Sequence, residues 1–187
     1  MKELNPNPQK TAESFTIPGV GGIIEKDIRG TRHILIQERF KEEAPSERGM
    51  LEIPAGKIRE YENVFDCLRR EIKEETGLEV VEIEGEDQAE TVSFNGYKVI
   101  SYTPFNTSQN LSGHYPIMVQ VFLCRVKGEL LKRSSEAKNI RWISRNELDR
   151  LLESNEKSFY PMHVHTLKKY LEQTLSTDVS NSADWLL

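Results

Sequence analysis

Three glutamates in the middle of the chain have the residue type and the spacing that metal chemistry requires. Glu71, Glu74 and Glu75 stand at positions i, i+3 and i+4, which at about 100° per residue fall within one arc of a helix. Carboxylates held this close repel one another in water and raise each other's pKa values. A divalent cation that prefers oxygen ligands offsets this repulsion. The spacing therefore predicts a metal site on a helix.

The helix that positions these acids is bounded by residues typical of helix ends. Asn63 suits the N-cap and Gly77 suits the left-handed position after the last turn, which predicts a helix over 64–76. Its apolar stripe consists of Val64, Phe65, Leu68 and Ile72. The acids flank this stripe, whereas a solvated helix would place them opposite it. We therefore expect the acids to be held against the body of the fold.

The composition limits the kinds of partner that the chain can have. Its 187 residues suit one domain, and its net charge of −5 argues against broad electrostatic binding to nucleic acid. No apolar run approaches the ~20 residues that a membrane span needs, and residues 1–10 are too polar for a signal peptide. Cys67 and Cys124 lie among apolar residues without metal-ligand spacing, which indicates buried thiols in a reducing compartment. We expect a cytoplasmic protein with neither a nucleic-acid nor a membrane partner.

One domain, over residues 15–176, is predicted between two tails. Residues 1–14 lack apolar periodicity and should form a flexible arm, which can exchange between the subunits of a homodimer. Residues 177–187 form the second tail. Within the domain, a polar loop over 104–116 is a candidate binding loop. The predicted strands and helices are a hairpin over 15–40, strands over 78–83, 89–94, 97–102, 117–126 and 140–143, and helices over 145–153 and 161–175.

The acidic segment also resembles a known motif. It reads Gly56, five residues, Glu62, seven residues, and then REIKEETGL over 70–78. This resembles the Nudix box, G-x5-E-x7-R-E-U-x-E-E-x-G-U with U aliphatic, at every defined position. The resemblance implies an α/β (α+β) fold, a Nudix-type α/β/α sandwich with a mixed β-sheet. It also implies a pyrophosphohydrolase that uses Mg²⁺ or Mn²⁺ to cleave a small-molecule nucleotide substrate, and hard oxygen ligands suit these ions.

The resemblance assigns metal binding to particular residues. Glu71, Glu74 and Glu75 would be catalytic metal ligands, and the backbone carbonyl of Ala55 would complete the shell. A further glutamate in this family often acts as ligand or general base from a loop ahead of a Trp-containing strand. Glu136 fits that context, since Trp142 follows it.

Other residues near the box are candidates for supporting roles, and several of them have two possible interpretations. Glu62 either reaches the metal through water or fixes its loop, and Arg70 is expected to hold a carboxylate by a bidentate pair. Arg39 is expected to contact phosphate, with a surface salt bridge as its alternative. Glu52 either hydrogen-bonds the substrate or ends a strand. Glu129 is the weaker candidate for the role given to Glu136.

The flank of the box bears on the substrate. Pro54-Ala55-Gly56 resembles the ADP-ribose and nucleotide-sugar pyrophosphatases, while the proline that ADP-ribose enzymes often carry beyond the box is replaced by Ser93. The leading expectation is hydrolysis of ADP-ribose or a nucleotide sugar. The alternative enzyme is a nucleoside triphosphate pyrophosphohydrolase that releases a monophosphate and pyrophosphate. A non-catalytic nucleotide-sensing domain is a third possibility, which the complete set of box acids disfavours.

Overall fold

The computed structural model describes residues 13–42, 44–113, 116–132, 134 and 136–183, with only the backbone described for 174–183. Nearly all of the predicted arm over 1–14, and the end of the predicted tail over 177–187, lie outside the described residues.

The described part of the chain contains ten strands and three α-helices. The strands are β1 Ile17–Ile28, β2 Thr31–Arg39, β3 Leu51–Glu52, β4 Ala55–Lys57, β5 Glu79–Ile83, β6 Glu90–Phe94, β7 Tyr97–Ser101, β8 Asn106–Gln109, β9 Ile117–Lys127 and β10 Ala137–Ser144. The helices are α1 Val64–Thr76, α2 Arg145–Asn155 and α3 Pro161–Ala183. Among the described residues, no helix is both long and apolar enough to cross a membrane.

The central sheet is mixed, as predicted. Its main path runs β10-β2-β1-β9-β5, with β3 joined to β2, β4 to β1 and β8 to β9. β1 and β9 are parallel, whereas the other pairs in this sheet are antiparallel. β6 and β7 form a separate antiparallel hairpin. The strand β4, which leads into the acidic segment, thus sits beside the central strand β1.

Helices pack on both faces of this sheet, which confirms the α/β/α sandwich. Alternation along β1 sends Ile24 into a cluster with α1, and Ile23 into a second cluster with α2 and α3. Gly22 allows α1 to approach closely, because a Cβ at this position would lie 3.0 Å from both Cys124 Sγ and Ile72 Cδ1. The acidic helix is therefore fixed by its whole apolar stripe against the sheet.

The predicted 104–116 loop is not loop throughout, because β8 lies within it. Residues 106–109 pair with 118–121 of β9 through their backbones. The four side chains are all polar, so no apolar period marks the strand. The structure also extends β10 to 137–144, beyond the predicted 140–143, and α3 to Ala183.

Candidate active site

The ends of α1 are formed by the two residues that the sequence indicates. Asn63 Oδ1 accepts a hydrogen bond from the Phe65 backbone N–H at 2.9 Å, which caps the first turn. Gly77 adopts the left-handed conformation at φ 79°, and its N–H donates to the Lys73 carbonyl oxygen at 3.0 Å. The helix bounds are confirmed as predicted, so the register of its three acids is fixed locally.

The three acids of α1 differ greatly in exposure. Glu75 is 3% exposed, whereas the Glu74 side chain is 54% exposed and that of Glu71 is 15% exposed. Glu75 lies one and two turns beyond Ile72 and Leu68, on the edge of the buried stripe, which explains its burial. The prediction that the acids flank the stripe thus holds best for Glu75, while Glu74 faces solvent.

Glu75 is held by one carboxylate oxygen and leaves the other available. Its Oε2 accepts from Gln37 Nε2 at 2.8 Å and from the Ala55 backbone N–H at 3.2 Å. Its Oε1 is buried and has no hydrogen-bond partner among the described residues. Burial, together with the charge of Glu52, raises the pKa of Glu75 to about 8, and the charge of Lys41 opposes this shift. A buried carboxylate with one unused oxygen is well suited to bind a cation.

Glu71 lies directly against the glycine that opens the box. A Cβ at Gly56 would fall 1.8 Å from Glu71 Cδ, so only glycine leaves room for the carboxylate there. Gly56 pairs with Val20 of β1, which fixes the backbone on that side. Arg70 Nη1 donates to Glu71 Oε1 at 2.5 Å and holds the carboxylate in this place.

Arg70 and Glu62 form the bidentate pair that the sequence predicts for Arg70. Arg70 Nε and Nη2 donate to the two oxygens of Glu62 at 2.7 and 2.8 Å, and Glu62 also accepts from the Arg59 backbone N–H at 2.9 Å. The hydrogen bonds from Arg70 lower the pKa of Glu62 to about 2, so it is ionised at neutral pH. In this structure, Glu62 therefore fixes the loop ahead of α1.

The ammonium group of Lys41 lies between Glu136 and Glu75. Lys41 Nζ lies 2.5 Å from Glu136 Oε2 and 4.0 Å from Glu75 Oε1. The backbone of this segment is also tied to β2, because the Phe40 N–H donates to the Glu136 carbonyl oxygen at 2.7 Å. Glu129, by contrast, places its backbone carbonyl beside Gly77, at the C-terminal end of α1.

Arg39 and Glu52 form a buried ion pair near Glu75. Arg39 is 4% exposed and Glu52 is 2% exposed. Arg39 donates to Glu52 Oε2 at 3.0 Å and to Glu47 Oε2 at 2.7 Å, and its guanidinium carbon lies 4.4 Å from the centroid of the Tyr160 ring. Gln37 Nε2, at 3.5 Å from Glu52 Oε1, links this pair to Glu75. Contact of Arg39 and Glu52 with substrate stays a prediction.

Gln37 and Lys41 are the site residues that the sequence analysis missed. Gln37 is fully buried and shares a face of β2 with Leu35, which packs against α1. A polar residue aligned with a buried apolar one, and aimed at the acidic helix, is the signal that could have identified it. Lys41 gives no such signal, because its partner Glu136 is distant in the sequence.

The donor atoms of the site fit a hard divalent cation. The candidates are carboxylates and a backbone carbonyl, which suit Mg²⁺ or Mn²⁺ better than zinc. The hydrogen bond from the Ala55 N–H to Glu75 and the contact of Glu71 with Gly56 place two of these acids beside β4. As placed, however, no three acidic, histidine or cysteine side chains within the described part of the chain converge enough to hold a metal.

A family comparison agrees with the box and the fold. The model of the NUDIX domain matches residues 16–163, which is most of the chain. The chain belongs to the Nudix family. This protein is therefore a Nudix hydrolase that acts on phosphorus-containing acid anhydrides. No curated protein sequence matches it significantly.

Solved structures share this Nudix fold at low sequence identity. The NUDIX domain of Shewanella oneidensis NrtR, complexed with ADP ribose, has a TM-score of 0.61 and 14% identity, with 90% of this chain and 94% of that chain covered. A MutT protein from Methanosarcina mazei Go1 has a TM-score of 0.60 and 17% identity, covering 88% and 99%. A C. elegans Ap4A hydrolase has a TM-score of 0.55 and 15% identity, covering 86% and 99%. At these identities the likeness concerns the fold.

Proposed function

We propose that this Nudix hydrolase cleaves the diphosphate of a nucleoside diphosphate linked to another moiety, with ADP-ribose or a nucleotide sugar favoured. The observation that carries the proposal is Glu75, a buried box acid with one oxygen fixed and the other without a hydrogen-bond partner among the described residues. Two features support the substrate class. They are the Pro54-Ala55-Gly56 flank and the ADP ribose bound by the similar NrtR domain.

The proposed metal ligands are Glu71, Glu74, Glu75, the Ala55 carbonyl and Glu136. Mg²⁺ or Mn²⁺ held there would supply charge neutralisation of the diphosphate and a water of lowered pKa. The protein's part is to keep the ligands in place. The Ala55 backbone serves twice, since its N–H already fixes Glu75 while its carbonyl is the proposed ligand. Glu74 is exposed and its Oε2 lies 3.3 Å from Arg70 Nη1, so its side chain is proposed to rotate when it binds the ion.

The remaining residues are assigned supporting roles. Glu52, which Gln37 links to Glu75, is proposed to help hold the Glu75 carboxylate in place. Arg39 is proposed to neutralise the charge of Glu52. The two buried thiols, Cys67 and Cys124, support the proposed cytoplasmic location. A homodimer stays a prediction.

A substrate panel tests the proposed reaction. Purified protein with Mg²⁺ or Mn²⁺ is incubated with ADP-ribose, nucleotide sugars, dinucleoside polyphosphates and nucleoside triphosphates, and product masses are recorded. ADP-ribose should yield AMP and ribose 5-phosphate. Release of pyrophosphate from a nucleoside triphosphate would instead support the alternative function, that of a nucleoside triphosphate pyrophosphohydrolase. No cleavage of any compound would refute the hydrolase assignment to this site.

A substitution of Glu75 tests the site itself. Glu75→Gln keeps the size of the side chain and removes its charge, so we expect a loss of at least about 100-fold in kcat/KM, since metal positioning and charge stabilisation each contribute factors of this size. The control is Glu153→Gln, the same change at an exposed position on α2. A non-catalytic sensing domain would show no activity in either variant.

A further inference from the structure

Lys41 points its ammonium group into the acidic site. Its side chain is 19% exposed, whereas lysines usually keep the ammonium in water and bury only the stem. The ammonium stands between Glu75 of α1 and Glu136 of the segment ahead of β10. One positive charge is therefore shared by two acids that belong to different parts of the fold.

The two distances show that the two acids are not equivalent partners of Lys41. At 2.5 Å the contact with Glu136 is a charge-assisted hydrogen bond, while at 4.0 Å the ammonium only attracts Glu75 Oε1. Because that oxygen has no hydrogen-bond partner among the described residues, the ammonium acts on it only through space. A cation that binds Oε1 directly would compete with the ammonium for the same negative potential.

We propose that Lys41 is the counter-ion of the metal-free site. Its ammonium holds Glu136 beside Glu75 and gives way when a divalent cation binds, so Lys41 sets the metal concentration at which the site fills. This inference rests on the proposed role of Glu75 as a metal ligand. Lys41 is a positioning residue in this scheme, since it acts through the two acids.

The size of the effect follows from the charge that Lys41 carries. A neighbouring opposite charge changes the affinity of a carboxylate for a proton by one to three pKa units. A divalent cation feels the same potential with twice the charge, so removing the ammonium should tighten metal binding by roughly tenfold or more. The same removal deprives Glu136 of its charge-assisted hydrogen bond, and the metal-free protein should melt at a lower temperature.

The experiment measures Mn²⁺ binding without substrate, by electron paramagnetic resonance of the free ion. Lys41→Met keeps the length of the side chain and removes its charge, and should lower the Kd by roughly tenfold or more. Lys41→Arg keeps the charge and should stay near the wild type. Lys138→Met is the control, because the Lys138 ammonium lies over the Phe40 ring and its side chain is exposed. Melting temperatures with EDTA and with excess Mn²⁺ provide the second readout.

The outcomes separate this inference from the proposed metal site. If Lys41→Met binds Mn²⁺ no more tightly than the wild type while Glu75→Gln loses binding, the metal site stands and the role of Lys41 is overturned. If Glu75→Gln binds Mn²⁺ as the wild type does, the metal site itself fails and the inference fails with it. If Lys41→Met does not fold, Lys41→Gln gives the same comparison with a polar side chain.

Discussion

His163 accepts a hydrogen bond from the segment that leads to Ala55, a proposed metal ligand. It lies on the first turn of α3, is 1% exposed, and its Nδ1 accepts from the Ile53 backbone N–H at 3.3 Å. Ile53 begins the segment that leads to Ala55 and Gly56. Burial, with a smaller contribution from the positive charges of nearby side chains, lowers the pKa of His163 to about 3. The imidazole is therefore neutral in the folded protein at any ordinary pH.

The lowered pKa makes the folded state sensitive to acid. The unfolded chain takes up this proton near pH 6.5, before the folded one does. The contribution of His163 to stability is thus fully present above pH 6.5 and is lost as the pH falls toward 3. At pH 5 the loss is about 2 kcal/mol, or one and a half pKa units at ~1.4 kcal/mol each. This figure changes little if the pKa of the folded state is one unit higher.

Glu75 also makes stability depend on pH, so the contribution of His163 must be measured as a difference between the wild type and a variant. Its pKa is raised, so its contribution to stability is present below its ordinary 4.5 and is lost as the pH rises through about 8. That contribution has the opposite sign to the one from His163 over the same pH range. The pH dependence of the wild-type free energy of unfolding contains the contributions of both Glu75 and His163. The difference in this free energy between the wild type and a His163 variant contains only the contribution of the histidine.

The assay is urea unfolding with EDTA at pH 7.5 and pH 5.0. His163→Asn keeps an acceptor near the position of Nδ1 and cannot take up a proton. Between the two pH values, the variant should lose about 2 kcal/mol less stability than the wild type. His165→Asn is the matched control, since His165 is exposed on the same helix. Equal changes in the wild type and His163→Asn would refute the buried, neutral histidine.

Two further substitutions test the geometry of α1. Gly56→Ala places a Cβ 1.8 Å from Glu71 Cδ, so Glu71 must move. Titration with Mn²⁺ should show roughly tenfold weaker binding or worse, since a displaced ligand loses its bond to the metal, and unchanged affinity would contradict the assigned role of Glu71. Asn63→Ala removes the cap on the Phe65 N–H and should lower the free energy of unfolding in urea by about 1 kcal/mol. Asn63→Asp keeps the acceptor and should restore it.

Elements of this fold differ in how far apart in the chain their interacting residues lie, and this separation decides which of them the sequence predicts. The helix over 64–76 was predicted to the residue, because its N-cap and its C-terminal glycine act within one turn of the ends. The strand β8 was missed, because its polar residues carry no apolar period and, among the described residues, it pairs with β9 alone. Interactions between residues close in the sequence are enough to predict the ends of this helix, but they do not predict the strand β8.

The same distinction applies to the site. The box spacing located Glu71, Glu74 and Glu75, but it did not show that Glu75 alone is deeply buried. The hydrogen bond that fixes its carboxylate comes from Gln37 of β2, which the chain brings to α1 only in the folded sheet. The pairing of Lys41 with Glu136 likewise joins two polar segments that no periodicity connects. Such contacts follow from the topology, which a motif does not encode.

The proposed site combines two fixed acids, Glu71 and Glu75, with two adjustable ones. Glu75 is held by hydrogen bonds from β2 and from the Ala55 backbone, whereas Glu74 and Glu136 have side chains that are about half exposed. Mg²⁺ demands near-ideal octahedral geometry and short ligand distances. A fixed acid sets where such an ion binds, and exposed acids can rotate to complete its shell at little cost. The exposure of Glu74 and Glu136 is therefore compatible with metal binding, and Lys41 holds Glu136 ready on the side where the free oxygen of Glu75 lies.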